Sequence, residues 1–283
     1  MNTAILLISC PDRKGIVARV TNFLYHNNGN IEGADQHIDS QTKTFFMRIE
    51  WSLEGFGIPQ ESIPQSFSPI AEEFNMQWTL YFRKEIPRLA IFTSAATHCL
   101  YDLLLRCEEG QLTCQIPLIV SNRSETREIA ERFKLRFFDF AKTHKNKIEV
   151  EKKEIALLKE EKIELVVLAR YTQILTKQFI AEFPNRIINI HHSFLPAFVG
   201  AKPYEQAYSK GVKIIGATSH YVTEELDAGP IIEQDVVRVS HRDSLEDLKR
   251  KGKDLEKVVL SRAVRWHLER KILVYNNKTV VFD

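Results

Sequence analysis

Residues 186–234 hold the densest set of chemically able side chains in this 283-residue sequence. An apolar run, Ile187-Ile188-x-Ile190, breaks into polar residues at Asn189, His191, His192 and Ser193. A run with so sharp a polar break reads as a buried strand that delivers side chains to a sheet edge. In open α/β sheets, ligands bind beyond that edge, at the carboxyl ends of the strands. Residues 213–222 read as a second strand carrying His220, and Asp227 then precedes a Gly229-Pro230 turn. Asn189 and His191 are two apart, so on a strand they share a face, and His192 is expected to face the other way. An amide beside an imidazole can donate hydrogen bonds to an oxygen that turns negative in a transition state. Asp227 can handle protons, or hold a water or the imidazole. This set suits attack on a carbonyl without a covalent nucleophile. One such residue at a strand end is more often a satisfied polar group than a catalyst; three beside a Gly-Pro loop favour chemistry.

The segments Asn189-Ile190-His191, Ser193-Phe194-Leu195-Pro196 and Leu226-Asp227-x-Gly229-Pro230 resemble the signature of folate-dependent formyltransferases. In that family Asn, His and Asp at these positions form the catalytic trio. The wider wording, from His191 through Ala197-Phe198 together with Gly216-Ala217-Thr218-x-His220-Tyr221-Val222, resembles the family's hydrolytic branch, and the likeness extends over most of the chain. The resemblance implies hydrolysis of 10-formyltetrahydrofolate to formate and tetrahydrofolate, supplying formate to one-carbon and purine metabolism. The folate is then a substrate, with no separate cofactor and no metal. Asn189, His191 and Asp227 are the implied catalytic residues. His220, Tyr171, Gln173, Leu175, Ile188 and Thr223 are the implied substrate-binding ones, His220 orienting Asp227 or a water. Asp227 would accept the water's proton, while Asn189 and protonated His191 stabilise the oxyanion.

Hydrolysis is favoured over transfer by the stretch Thr93-Ser94-Ala95-Ala96-Thr97-His98-Cys99. A phosphate-bearing acceptor is usually cradled by glycines at a helix start. The resembling glycinamide ribonucleotide formyltransferases carry a Gly-rich loop at this junction, whereas here no glycine stands between Thr93 and Glu109. Folate-dependent transfer to an amine, and a non-catalytic amino-acid sensor, are the alternatives. A zinc hydrolase using His191, His220 and Asp227 is a further one, but adjacent histidines are its sole close-spaced pair.

The elements that must position these groups fall into two sets. Residues 3–9 read as a strand, and Ile16, Val17, Val20, Phe23 and Leu24 recur at helical spacing up to Asn27-Asn28-Gly29. Residues 30–39 and 44–53 read as strands, 63–74 as a helix interrupted by Pro64 and Pro69, and 76–82 as a fourth strand. This βαββαβ order is a ferredoxin-like α+β unit. Asp12-x-x-Gly15 followed by Asn30-Ile31 resembles an ACT domain. That implies a homo-oligomer paired through the sheets and an amino-acid effector bound by Asp12, Gly15, Asn30 and Ile31, with assembly alone as the alternative. After the linker 83–87, residues 88–93, 115–120 and 165–169 read as strands and 125–133, 148–161 and 244–270 as helices. Leu100, Leu103, Leu104 and Cys107 mark another helix at i, i+3, i+4, i+7 spacing. Alternation of this kind predicts a doubly wound α/β domain, and residues 272–275 and 279–282 a closing hairpin. The expected domains are 1–84, regulatory or assembling, and 85–283, catalytic.

Composition narrows the field. A net charge of +2 gives no electrostatic case for nucleic acid, and 44% hydrophobic with 27% charged residues is ordinary for a soluble globular protein. No apolar run has the length of a membrane span, and no basic leader precedes the first apolar segment. The four cysteines have no metal-site spacing and are expected reduced, in the cytoplasm. Residues 142–162 interleave lysines with Glu149, Glu151, Glu154, Glu160 and Glu161, which reads as a solvated helix face.

Overall fold

The computed structural model describes residues 2–143, 145–196 and 203–283; Ala197 and Phe198 of the motif lie outside them. Two compact units emerge. The expected division after residue 84 leaves the whole carboxyl terminus in the second domain. By contacts, residues 269–275 and 280–283 belong with the first unit, which otherwise ends at Ile86.

The first unit runs β1 (Thr3–Pro11), α1 (Ile16–His26), β2 (Ile31–Asp39), β3 (Thr44–Ser52), α2 (Ile63–Glu73) and β4 (Gln77–Phe82). The sheet order is β2-β3-β1-β4, antiparallel throughout, as a ferredoxin-like unit requires. Alternate residues of β1, Ala4, Leu6, Ile8 and Cys10, join Val20, Leu24, Phe67 and Ile70 in one core. The other face of β3 is covered by the carboxyl-terminal segment: Phe46 packs with Val280 and Phe282, and Arg48 donates to the carbonyls of Glu269 and Arg270. Burial on both sides explains why β1 reads as a continuous apolar run. Helix α2 forms despite Pro69. Ile63, Phe67, Ile70 and Ala71 are buried, and each large apolar side chain so buried contributes about 1.5–3 kcal/mol, which outweighs the roughly 3 kcal/mol cost of an interior proline.

The second unit runs β5 (Arg88–Thr93), α3 (His98–Glu108), β6 (Gln115–Ser121), α4 (Arg127–Arg132), β7 (Arg136–Asp139), α5 (Lys147–Glu160), β8 (Leu165–Ala169), α6 (Lys177–Glu182), β9 (Ile187–His191), α7 (Pro203–Lys210), β10 (Ile214–Tyr221), β11 (Ile231–Arg238) and α8 (Leu245–Leu268). Its sheet has the order β11-β10-β9-β8-β5-β6-β7. The strands from β7 to β9 are parallel, and β10 and β11 extend the sheet antiparallel. Chain direction along the sheet reverses at β5, which lies between β6 and β8. That is the topological switch point, where ligands enter such sheets.

One expectation fails here. The segment 142–162 is not simply a solvated face: Glu151 and Glu154 are buried on α5 with Val150 and Leu158. The spacing 150/151, 154, 158 is a helical stripe, and it turns the two carboxylates inward. The buried Lys142 amine lies 2.7 Å from Glu154 and 3.6 Å from Glu151. Burial pushes the Glu154 carboxyl up to about 7, against the pull of Lys142.

Candidate active site

Strand pairing assembles the site. β9 lies between β8 and β10, and its register sets Asn189 against Leu168 on one side and His220 on the other. His220 Nδ1 lies 2.9 Å from the Tyr221 carbonyl and donates to it, so Nε2 accepts from the Asn189 amide at 3.2 Å. The two residues read as strand-end groups in the sequence therefore orient each other.

Asp227 is brought in by the loop after β10. Its φ is 54°, a left-handed conformation that aspartate tolerates better than most residues. The loop lies so close to β10 that a Cβ on Gly229 would stand 1.8 Å from the Tyr221 carbonyl oxygen, which only glycine avoids. The Tyr221 N–H donates to the Pro230 carbonyl at 2.9 Å, and Asn277 Nδ2 to the Ala228 carbonyl at 2.8 Å. Held in this way, Asp227 has Oδ2 at 3.3 Å from His191 Nδ1 and Oδ1 at 3.7 Å from His220 Nε2. The His191 imidazole beside it holds the Asp227 carboxyl well below the usual carboxylate range, overcoming its partial burial. Among the described residues, the buried His191 Nε2 has no hydrogen-bond partner.

These groups line a cavity of about 290 Å³. Asn189, His191, His220, Asp227, Tyr171, Gln173, Leu175 and Thr223, eight of the nine catalytic and substrate residues expected from sequence, lie on its wall. Ile188 is not among the lining residues; it is fully buried within the sheet, paired with Val167 and Tyr221. His192 does line the cavity, contrary to the alternation argument, because β9 ends at His191 and strand periodicity stops there. Burial, then the charge of Arg170, lowers the His192 imidazole to about 4, so it is neutral near pH 7. Arg170, Thr172, Ile174, Glu224 and Leu226 complete much of the wall.

Behind Arg170 and His192 stands a second group. Glu256 of α8 accepts from His98 Nε2 at 2.8 Å and from the Tyr204 hydroxyl at 2.5 Å, and lies 3.3 Å from Arg170 Nε. Its signal in the sequence is a charge on the buried stripe Leu248, Gly252, Glu256, Val259, Ala263. Among the described residues, His98, Cys99 and Glu256 bring potential metal-ligand atoms within 4.8 Å of one another. The guanidinium beside Glu256 and the donors already on both its oxygens make this a poor cation site. In the first unit, Asp12, Gly15 and Asn30 are exposed and Ile31 is 39% exposed. Gly15 caps α1 with φ 95°. None of the described helices is long and apolar enough to cross a membrane.

A doubly wound sheet with an Asn–His–Asp site at its carboxyl edge, joined to a ferredoxin-like unit, defines a formyl transferase domain coupled to an ACT domain. The formyl transferase family profile matches residues 87–264 and the ACT domain profile residues 4–53. A formyltetrahydrofolate deformylase of Synechocystis is 55% identical over 280 residues, covering 99% of this chain and 98% of its own. The crystal structure of a formyltetrahydrofolate deformylase from Pseudomonas syringae pv. tomato superposes with a TM-score of 0.97 at 49% identity, covering 100% of this chain and 95% of the other. A glycinamide ribonucleotide transformylase from Symbiobacterium toebii gives 0.66 at 31% identity, over 72% of this chain and 98% of that one. The chain belongs to the formyltetrahydrofolate deformylase family.

Proposed function

We propose that this protein hydrolyses 10-formyltetrahydrofolate to formate and tetrahydrofolate, with Asn189, His191 and Asp227 as its catalytic residues. The observation that carries the site assignment is the buried His191 Nε2, without a partner among the described residues, beside an ionised Asp227 that holds the same ring from its other side. A buried nitrogen without a partner is costly unless a ligand supplies one. The folate lies along the wall from Leu168 to Leu175, and its formyl group reaches Asn189 and His191. Asp227, with so low a pKa, is a weak proton acceptor, so the proton released by the attacking water rests on the imidazole of the pair. Asp227 fixes the ring with Nδ1–H toward itself and Nε2 toward the substrate. The Asn189 amide, oriented by His220, donates to the developing oxyanion. The imidazolium returns its proton to N10 of the folate as the C–N bond breaks. Incubation with 10-formyltetrahydrofolate and no amine should yield formate; no formate under these conditions refutes the reading.

The first unit is proposed to bind an amino acid at Asp12, Gly15, Asn30 and Ile31, within a homo-oligomer formed through its sheet. Exposure of all four positions in the single chain and the helix start at Gly15 support this. The chain, with its four free cysteines, is taken to work in the cytoplasm. Formate release measured over a panel of amino acids should respond to one of them, and Asp12→Ala should abolish the response. Indifference to every amino acid would leave the unit an assembly element.

A further inference from the structure

The group around Glu256 takes no part in the steps above, yet it stands immediately behind the reaction centre. Arg170 and His192 belong both to the cavity wall and to this group. The His192 ring is 5.4 Å from that of His191 and 5.8 Å from that of Tyr204. Tyr204 is seated tightly on α8: a Cβ on Gly252 would fall 2.2 Å from its hydroxyl. The neighbouring strand ends are closed as well. Ser94, after β5, donates to Asn122, after β6, at 2.7 Å, and accepts from the Thr172 N–H, after β8, at 3.1 Å. At the topological switch point, where a second ligand would enter such a sheet, Ser94 thus ties three strand ends together.

A formyl carbon is open to amines as well as to water, and amines are the stronger nucleophiles. A site that delivers the group to water must therefore work against the alternative. An attacking amine must lose a proton to an acceptor, and Glu256 is a buried carboxylate 3.3 Å from Arg170 of the cavity wall. Here one oxygen of that carboxylate takes the His98 N–H and the other the Tyr204 hydroxyl. We propose that Glu256, His98, Tyr204 and Arg170 form the specificity element of the site, filling an amine's approach and occupying its carboxylate so that water alone reaches the formyl carbon. This rests on the hydrolytic reading above.

The test is the partition of the formyl group between water and glycinamide, a small primary amine. In transfer, the amine nitrogen bonds the formyl carbon, the C–N10 bond breaks, and N10 takes the proton that the amine loses. Wild type, His98→Ala/Tyr204→Phe, and that pair with Glu256→Gln are incubated with 10-formyltetrahydrofolate and glycinamide, with a no-enzyme blank. Formate and N-formylglycinamide are followed by NMR. The wild type should give formate alone. The double variant should raise the formylated fraction by about tenfold or more, the scale on which pocket shape separates small groups, and Glu256→Gln should reverse that gain. A folded, hydrolysing double variant that gives only formate overturns the proposal, as does a wild type that formylates glycinamide as readily as the variant. Should circular dichroism show the double variant unfolded, Tyr204→Phe, which removes one oxygen, carries the same test with the same outcomes. Absence of formate from the wild type without amine would instead refute the hydrolytic reading, and the proposal with it.

Discussion

The groups around His191 and around Glu256 use the same residue types, an imidazole against a buried carboxylate, and differ in how completely they are satisfied. In the first, the contacts are loose, 3.3 and 3.7 Å, and among the described residues one ring nitrogen has no partner. In the second, both carboxylate oxygens accept at 2.8 Å or less from donors on α3 and α7. An unsatisfied buried polar group costs about 1–3 kcal/mol, so a fold keeps one where a ligand completes it. The same chemistry thus serves as a reactive centre where it is left open and as a wall where it is closed.

The largest effect expected from this comparison comes from Asp227→Asn, which keeps the shape but removes the charge that orients His191. Turnover should fall roughly a hundred- to ten-thousandfold, the usual contribution of acid–base machinery, with folate affinity largely kept. Steady-state kinetics beside equilibrium folate binding checks this, and near-normal turnover would remove Asp227 from the mechanism.

Glu256→Ala should behave in the opposite way. Leaving the part-buried His98 and Arg170 without their carboxylate costs about 1–3 kcal/mol of stability, read by chemical denaturation, with turnover per folded molecule largely preserved. A variant of normal stability and lost turnover would exchange the roles of the two groups.

The smallest effect concerns the Lys142 group, which is also incompletely satisfied: the amine meets Glu154 Oε2 at 2.7 Å, and among the described residues Glu154 Oε1 has no partner. Because the folded state raises the Glu154 carboxyl to about 7, the folded chain holds a proton that the unfolded chain loses near pH 4.3. Stability from this residue is therefore greatest below that value and declines as pH rises through about 7, by on the order of 1–3 kcal/mol. Glu154→Gln should flatten the decline in denaturation midpoints measured between about pH 5 and pH 8. An unchanged slope would assign it to other groups.

Much of the site was legible because its signals are local. Asn189, His191 and Asp227 stand out as polar breaks after apolar runs and before a Gly-Pro turn, and those signals depend on near neighbours in the chain. His192 was misjudged because the alternation rule holds only while the strand lasts, and the strand stops one residue earlier. Glu151, Glu154 and Glu256 lie on buried helical stripes that the sequence does display. Their charge alone reads as solvent-facing, and only the arrival of Lys142, His98 or Arg170 from distant segments makes burial tolerable.

By itself the sequence determined the βαββαβ unit, the parallel α/β core and the polar breaks that carry Asn189, His191 and Asp227, since each follows from periodicities and turns within a few residues of one another. Tertiary structure alone decided that the carboxyl-terminal residues 269–275 and 280–283 return to cover β3. It also decided that three segments bring partners to Glu256 while, among the described residues, His191 keeps one nitrogen without a partner. These are matters of which polar groups meet across long separations in the chain. Desolvation and hydrogen bonding are settled by that meeting, and no local pattern encodes it.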